Sequence, residues 1–63
     1  MSEPAYIKLT TPLAIEEAFK LGYKVERRPY GKYEKWMPAR EDATASAREY
    51  MMRCGWKYRA VVR

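Results

Sequence analysis

The closing segment, residues 56–63, alternates more regularly than any other part of the chain. One side of an extended backbone would carry its aromatic and apolar side chains, Trp56, Tyr58, Ala60 and Val62. The other side would carry Lys57, Arg59, Val61 and Arg63. A period of two is typical of a half-buried β-strand. The segment therefore predicts a strand with an apolar inner face and a positively charged outer face.

The size of the chain limits how such a strand can be stabilised. With 63 residues the chain has room for one domain, and a domain of this size buries only about 60% of the surface of its unfolded chain. Cys54 is its one cysteine and it has no histidine, so we expect neither an internal disulfide nor a metal site. We expect support from aromatic packing and from a homodimer formed through a sheet edge or exposed aromatic residues.

Two helices are predicted from capping signals and spacing. Thr11 and Pro12 are typical of a helix start and Gly22 of a helix end, which predicts a first helix over 13–21. A second helix is expected from about Arg40 to Cys54. Its apolar stripe would consist of Ala43, Ala47, Tyr50, Met51 and Cys54, with Glu41 and Asp42 in the first turn. We expect the inner face of the closing strand to pack against this stripe.

Three further strands are predicted, at 6–9, 23–28 and 33–37, with the last two forming a β-hairpin that Pro38 closes. The element order is then β-α-β-β-α-β, an α+β fold with one small antiparallel sheet, similar to a miniature ferredoxin-like or split βαβ arrangement. In the alternative, a β-β-α-β core carries a loosely attached N-terminal segment.

The composition argues against several classes of protein. No apolar stretch has the length of a membrane span, and no signal peptide is recognised, so we expect a cytoplasmic protein without a membrane partner. Without histidine there is no base that titrates near neutral pH, and the adjacent acidic pairs would not face one another on a helix. We therefore predict a non-enzymatic protein with no cofactor.

The net charge of +5 is concentrated in two segments. Residues 20–35 hold six basic and two acidic side chains, and residues 50–63 hold four basic side chains and none that is acidic. Interleaved cations and aromatic rings are typical of surfaces that bind phosphates and stack on bases. We predict nucleic-acid binding, to DNA or RNA, by one positive surface composed of Arg27, Arg28, Tyr30, Lys32, Lys35, Lys57, Arg59 and Arg63. Arg28 and Lys32 are expected to face solvent. In the alternative interpretation, the cations only keep sheet edges from aggregating.

Three short motifs carry a resemblance: Gly-x-x-Val-x-Arg over 22–27, a Gly then Trp hairpin over 31–36, and Trp-x-Tyr-Arg over 56–59. In these the chain resembles the short accessory proteins encoded in the early regions of tailed bacteriophages. The resemblance implies a small protein that binds a macromolecule and blocks or redirects it. It therefore adds an alternative function, an inhibitor or modulator that docks on a bacterial host protein.

Overall fold

A computed structural model describes residues 5–29 and 35–62 of the chain. Within these residues the elements are β1 (Ala5–Leu9), α1 (Pro12–Lys20), β2 (Lys24–Arg28), β3 (Met37–Pro38), α2 (Ala45–Arg53) and β4 (Lys57–Val62). The predicted α+β class and the order β-α-β-β-α-β are confirmed.

The four strands form one antiparallel sheet in the order β1-β4-β2-β3. Because each neighbouring pair is antiparallel, β1 and β2 run parallel with β4 between them, and β3 and β4 run parallel with β2 between them. Both βαβ units are thus split. Strands β4 and β2 lie at the centre of the sheet, whereas the ferredoxin-like fold has its first and third strands at the centre. Strand β1 pairs with β4 from Ala5 to Leu9, so the alternative with a loose N-terminal segment is wrong.

Helix α1 begins and ends on the residues that its sequence signals indicate. The side chain of Thr11 accepts from the N–H of Ala14 at 3.1 Å, and Pro12 fills the first helical position. Gly22 then adopts a φ of +82°, which an L side chain rarely tolerates. Residues at the two ends of the helix therefore account for where α1 begins and ends.

Helix α2 begins later than predicted. Thr44, not a residue near Arg40, is its N-cap, and the Thr44 side chain accepts from the N–H of Ala47 at 3.1 Å. Glu41 and Asp42 precede the helix, so their predicted place in its first turn is wrong. Each helix has nine residues, and no helix in the described part of the chain is long and apolar enough to cross a membrane.

The core lies between α1 and the inner faces of the three longest strands. Its buried apolar members are Leu9, Ile15, Ala18, Val25, Tyr58 and Ala60. Met51, Met52 and Trp56 pack against it while partly exposed. The inner face predicted for β4 is therefore confirmed at Tyr58 and Ala60.

The apolar stripe predicted for α2 is only partly correct. Tyr50 is 66% exposed, and Ala47 and Cys54 are exposed as well. The buried member of α2 is Arg48, at 5% exposure. Its guanidinium donates to the carbonyl oxygens of Arg40 and Glu41 at 3.2 and 3.1 Å, and this contact turns a polar position of the helix inward.

Strand β3 is shorter than predicted and includes Pro38, which was expected to end it. Pro38 lies opposite Glu26 at the edge of the sheet, where a missing N–H is tolerated. The next residue, Ala39, restores the ladder by donating to the carbonyl of Val25 at 2.9 Å. Residues 30–34, which include the start of the predicted strand, lie outside the described residues.

Candidate nucleic-acid interface

One face of the sheet packs against the helices, and the described helices leave the opposite face uncovered. We call this opposite surface the open face. The strand register places Tyr6 and Lys8 of β1, Lys57, Arg59 and Val61 of β4, and Lys24, Glu26 and Arg28 of β2 on it. Trp36, just before β3, completes it through its contacts with Arg28 and Arg59.

The centre of the open face is a stacked arrangement around Arg59. Its guanidinium carbon lies 3.9 Å from the ring centroid of Tyr6 and 4.1 Å from that of Trp36. The same side chain donates Nε–H to Oε1 of Glu26 at 2.8 Å. The side chains of Arg59 and Glu26 are 23% and 16% exposed. Two rings and a carboxylate thus fix the guanidinium, and cation–π attraction strengthens the stack.

Arg28 belongs to the same cluster, with its guanidinium carbon 5.0 Å from the Trp36 ring centroid. The residue is half-buried, and its Nε is buried without an acceptor among the residues that the structure describes. Arg28 therefore lies on the open side of the sheet, as predicted, but it is only partly exposed because its side chain lies against an aromatic ring. Within the described part of the chain, Trp36 accordingly contacts two guanidinium groups and Tyr6 contacts one.

The open face is strongly positive. Its cations are Lys8, Lys24, Arg28, Lys57 and Arg59, and Glu26 is its one carboxylate among the residues described. Glu26 is shared, since Lys24 Nζ lies 3.9 Å from its second oxygen. Lys8 and Lys57 are exposed, and neither forms an ion pair within residues 5–29 and 35–62. These two lysines are the cations freest to meet an external anion.

The sheet brings three of the predicted binding residues together: Arg28, Lys57 and Arg59. Arg27 is not among them, because it lies opposite Tyr58 on the inner side of the sheet, with its guanidinium carbon 4.7 Å from the Trp56 ring centroid. Its predicted place on a common positive surface is wrong. Lys35 is exposed next to Trp36, outside the strands. Three further predicted residues, Tyr30, Lys32 and Arg63, lie outside the described residues.

Four cationic or aromatic residues of the open face are not among the predicted site residues: Tyr6, Lys8, Lys24 and Trp36. For β1 a signal was present, because a strand that turns Ile7 and Leu9 inward must turn Tyr6 and Lys8 outward. Its use would have required knowing that β1 pairs with β4, a contact between the two ends of the chain.

The described residues contain no group of three or more His, Cys, Asp or Glu side chains that could hold a metal ion. Comparisons of the chain with protein-family models, curated proteins and solved structures return no match. The resemblance to phage accessory proteins therefore stays a prediction, and the open face is the feature from which we infer a function.

Proposed function

We propose that the protein acts by binding nucleic acid on its open face, without catalysing a reaction. The observation that supports this most is the arrangement of charge: among residues 5–29 and 35–62, five cations and one carboxylate lie on the face that the described helices leave uncovered. A surface of one sign attracts a polyanion and accelerates the encounter with it. Neutralised phosphates also release counterions, which makes binding favourable at low salt.

The cations have different roles in this proposal. Lys8 and Lys57 are exposed and contact phosphates. Arg59 is neutralised by Glu26 at 2.8 Å, so it orders the aromatic rings more than it attracts the ligand. Arg28 contributes charge over the Trp36 ring. Lys35 and, from the sequence alone, Tyr30, Lys32 and Arg63 extend the proposed surface.

The proposal is tested with Lys8→Gln/Lys57→Gln and a matched control, Lys20→Gln/Arg53→Gln. Each variant removes two positive charges, but the control charges lie on exposed positions of the helices, with side chains 71% and 77% exposed. Fluorescence anisotropy over a range of salt gives the log–log slope of affinity. In the open-face variant we expect the slope to fall in magnitude by about 1.8 on duplex DNA, at about 0.9 per phosphate, or by about 1.4 on a single strand, at about 0.7 per phosphate. In the control we expect the slope to stay constant. Equal changes in both, or a parent that binds no nucleic acid at low salt, would refute the proposal.

An apolar groove favours a second candidate function, docking on a bacterial host protein. The groove lies between β1 and α1, has a volume of about 210 Å³, and is lined in part by Ile7 and Leu21, which are 46% and 61% exposed. A partner protein seated in this groove would remove these apolar side chains from water, which favours association. A pull-down from bacterial lysate with and without nuclease distinguishes nucleic-acid binding from docking on a host protein. Loss of all partners after nuclease treatment supports nucleic acid, and retention of one stoichiometric protein supports the host-protein alternative.

Strand β1, at the edge of the described sheet, supports the proposed homodimer. Ala5, Tyr6, Ile7 and Lys8 of β1 are all exposed, and the strand lies at the edge of the described sheet. An exposed edge strand offers its backbone donors and acceptors to a second strand. Sedimentation velocity at micromolar concentration should give the mass of a dimer, and a stable monomer would exclude this part of the proposal.

A further inference from the structure

The open face carries two aromatic rings whose environments differ. Arg59 covers one side of the Tyr6 ring, and Tyr6 as a whole is 51% exposed. Trp36 is half-buried and lies against both Arg28 and Arg59. Tyr6 is therefore the ring with more surface left for a ligand. We infer that the ligand is single-stranded and that one of its unpaired bases stacks on Tyr6, an inference that rests on the proposed function.

Preorganisation supports this role for Tyr6. An exposed tyrosine ordinarily loses side-chain freedom when it binds, and that loss weakens affinity. Here the guanidinium of Arg59, 3.9 Å from the ring centroid, already holds one side of the ring, and the Glu26 carboxylate holds the guanidinium in turn. The ring is thus oriented before a base arrives. The cation on one side and the base on the other continue a single stack.

The width of the sheet argues against its insertion into the major groove of a duplex. Three inter-strand spacings of about 4.8 Å separate the axes of the two edge strands by about 14 Å, which is wider than a major groove of about 12 Å. The sheet thus cannot enter the groove as a helix or a two-stranded ribbon does. In a duplex the faces of the bases are already stacked on one another, whereas in a single strand they are free to stack on protein rings.

Lys8 is placed to contact the backbone of the same nucleotide. It follows Tyr6 by two residues on the same side of β1, about 6.7 Å along the strand at 3.3–3.4 Å per residue. A base stacked on Tyr6 therefore has its phosphate within reach of an exposed ammonium group. Stacking and neutralisation act on adjacent parts of one nucleotide, and neither requires a particular base.

The test compares Tyr6→Leu with the parent, using three fluorescein-labelled probes at low salt: dT15, rU15 and a 15-base-pair duplex. We expect the parent to prefer the single strands. Loss of one stacked base should weaken single-strand binding by about 5- to 150-fold and duplex binding by less than about twofold. The salt slope should not change, since no charge is removed. A loss of affinity for dT15 or rU15 that is larger than the loss for the duplex supports the inference. The single strand that loses more affinity indicates whether DNA or RNA is bound.

Two further variants control for structure. Tyr6→Trp keeps a π-face and should bind single strands at least as tightly as the parent. Tyr50→Leu removes a ring that is 66% exposed on α2 and should have no effect. If Tyr6→Leu weakens single-strand and duplex binding alike, or changes neither, the inference is overturned while the proposed function stands. If the parent binds none of the probes, both are overturned.

Discussion

Arg59 and Glu26 are direct cross-strand partners, and the Nε–H of Arg59 donates to Oε1 of Glu26 at 2.8 Å. The contact joins β4 to β2 in the middle of the open face, where both side chains are mostly buried. Removing one member of such a pair leaves the other charge without its partner, which costs more than breaking a solvated surface pair. The pair therefore stabilises the two central strands while placing a negative charge on an otherwise positive surface.

Replacing Glu26 should consequently lower the stability of the fold and strengthen nucleic-acid binding. We expect Glu26→Gln to lower the free energy of unfolding by about 1–3 kcal/mol, because Arg59 loses its charged acceptor. The amide oxygen of the glutamine can still accept from Arg59 Nε–H and keep Tyr6 oriented, so the same change should tighten nucleic-acid binding, because a carboxylate that repels phosphates is gone. Urea denaturation and anisotropy measure the two effects. The control is Glu16→Gln on α1, which loses an exposed pair to Lys20 at 3.9 Å and should change neither quantity appreciably. An open-face variant that behaves like this control would contradict the prediction.

The parts of the fold that could be predicted depend on neighbours in sequence. The bounds of α1 follow from Thr11, Pro12 and Gly22, whose capping and turn preferences act within a few residues. The buried position of Arg48 could not be predicted, because it depends on carbonyl groups seven and eight residues away that accept from its guanidinium. An apolar stripe alone therefore gave the wrong inner face for part of α2.

In the candidate site, too, the residues that could be predicted depend on neighbours in sequence, and the others depend on pairing between distant parts of the chain. Lys57 and Arg59 were found from alternation within β4. Arg27 was placed on the wrong face because its charge was given more weight than the alternation that starts at the buried Val25. Tyr6 was missed because its place depends on the pairing of β1 with β4, which brings it opposite Val61 from the other end of the chain.

The core makes a direct prediction about stability. Ile15 is completely buried, whereas Leu13 on the same helix is 74% exposed. Ile15→Ala should lower the free energy of unfolding by about 2–5 kcal/mol, a large share of the 5–15 kcal/mol typical of a whole domain. Ile15→Val should cost about 0.5–1.5 kcal/mol and Leu13→Ala less than about 0.5 kcal/mol. Equal urea midpoints for Ile15→Ala and Leu13→Ala would show that α1 does not contribute Ile15 to the core.

The loop before α2 makes a prediction about pH. The side chain of Arg40 donates to both carboxylate oxygens of Asp42, and this hydrogen bond, with the charge of Arg40, holds the pKa of Asp42 below its ordinary value. A lowered pKa in the folded state adds stability above the pKa of the unfolded state. That contribution is lost as the pH falls through the folded value. It is therefore constant near neutral pH and declines only in acid.

NMR titration of the side-chain carboxyl carbons measures this shift directly. Arg40→Met should return the pKa of Asp42 towards its ordinary value. Arg53→Met, which removes an arginine paired with Glu49 at the far end of α2, should leave it unchanged. A carboxyl of Asp42 that titrates at the same pH in the parent and in Arg40→Met would show that the bidentate contact does not persist in solution.

Arg48 provides the sharpest comparison, because Arg53 in the same helix forms a hydrogen bond of similar length in a different environment. Arg48 is 5% exposed and donates to two backbone carbonyls, and its guanidinium carbon lies 5.1 Å from the Phe19 ring centroid, whereas the side chain of Arg53 is 77% exposed. Arg48→Met keeps an aliphatic stem but removes both donors, and should cost about 1–3 kcal/mol. Arg53→Met should cost less than about 0.5 kcal/mol. Urea denaturation of both variants measures the two losses in the free energy of unfolding. If Arg48→Met is as stable as the parent, the desolvation of this guanidinium cancels its hydrogen bonds, as is known for buried charges.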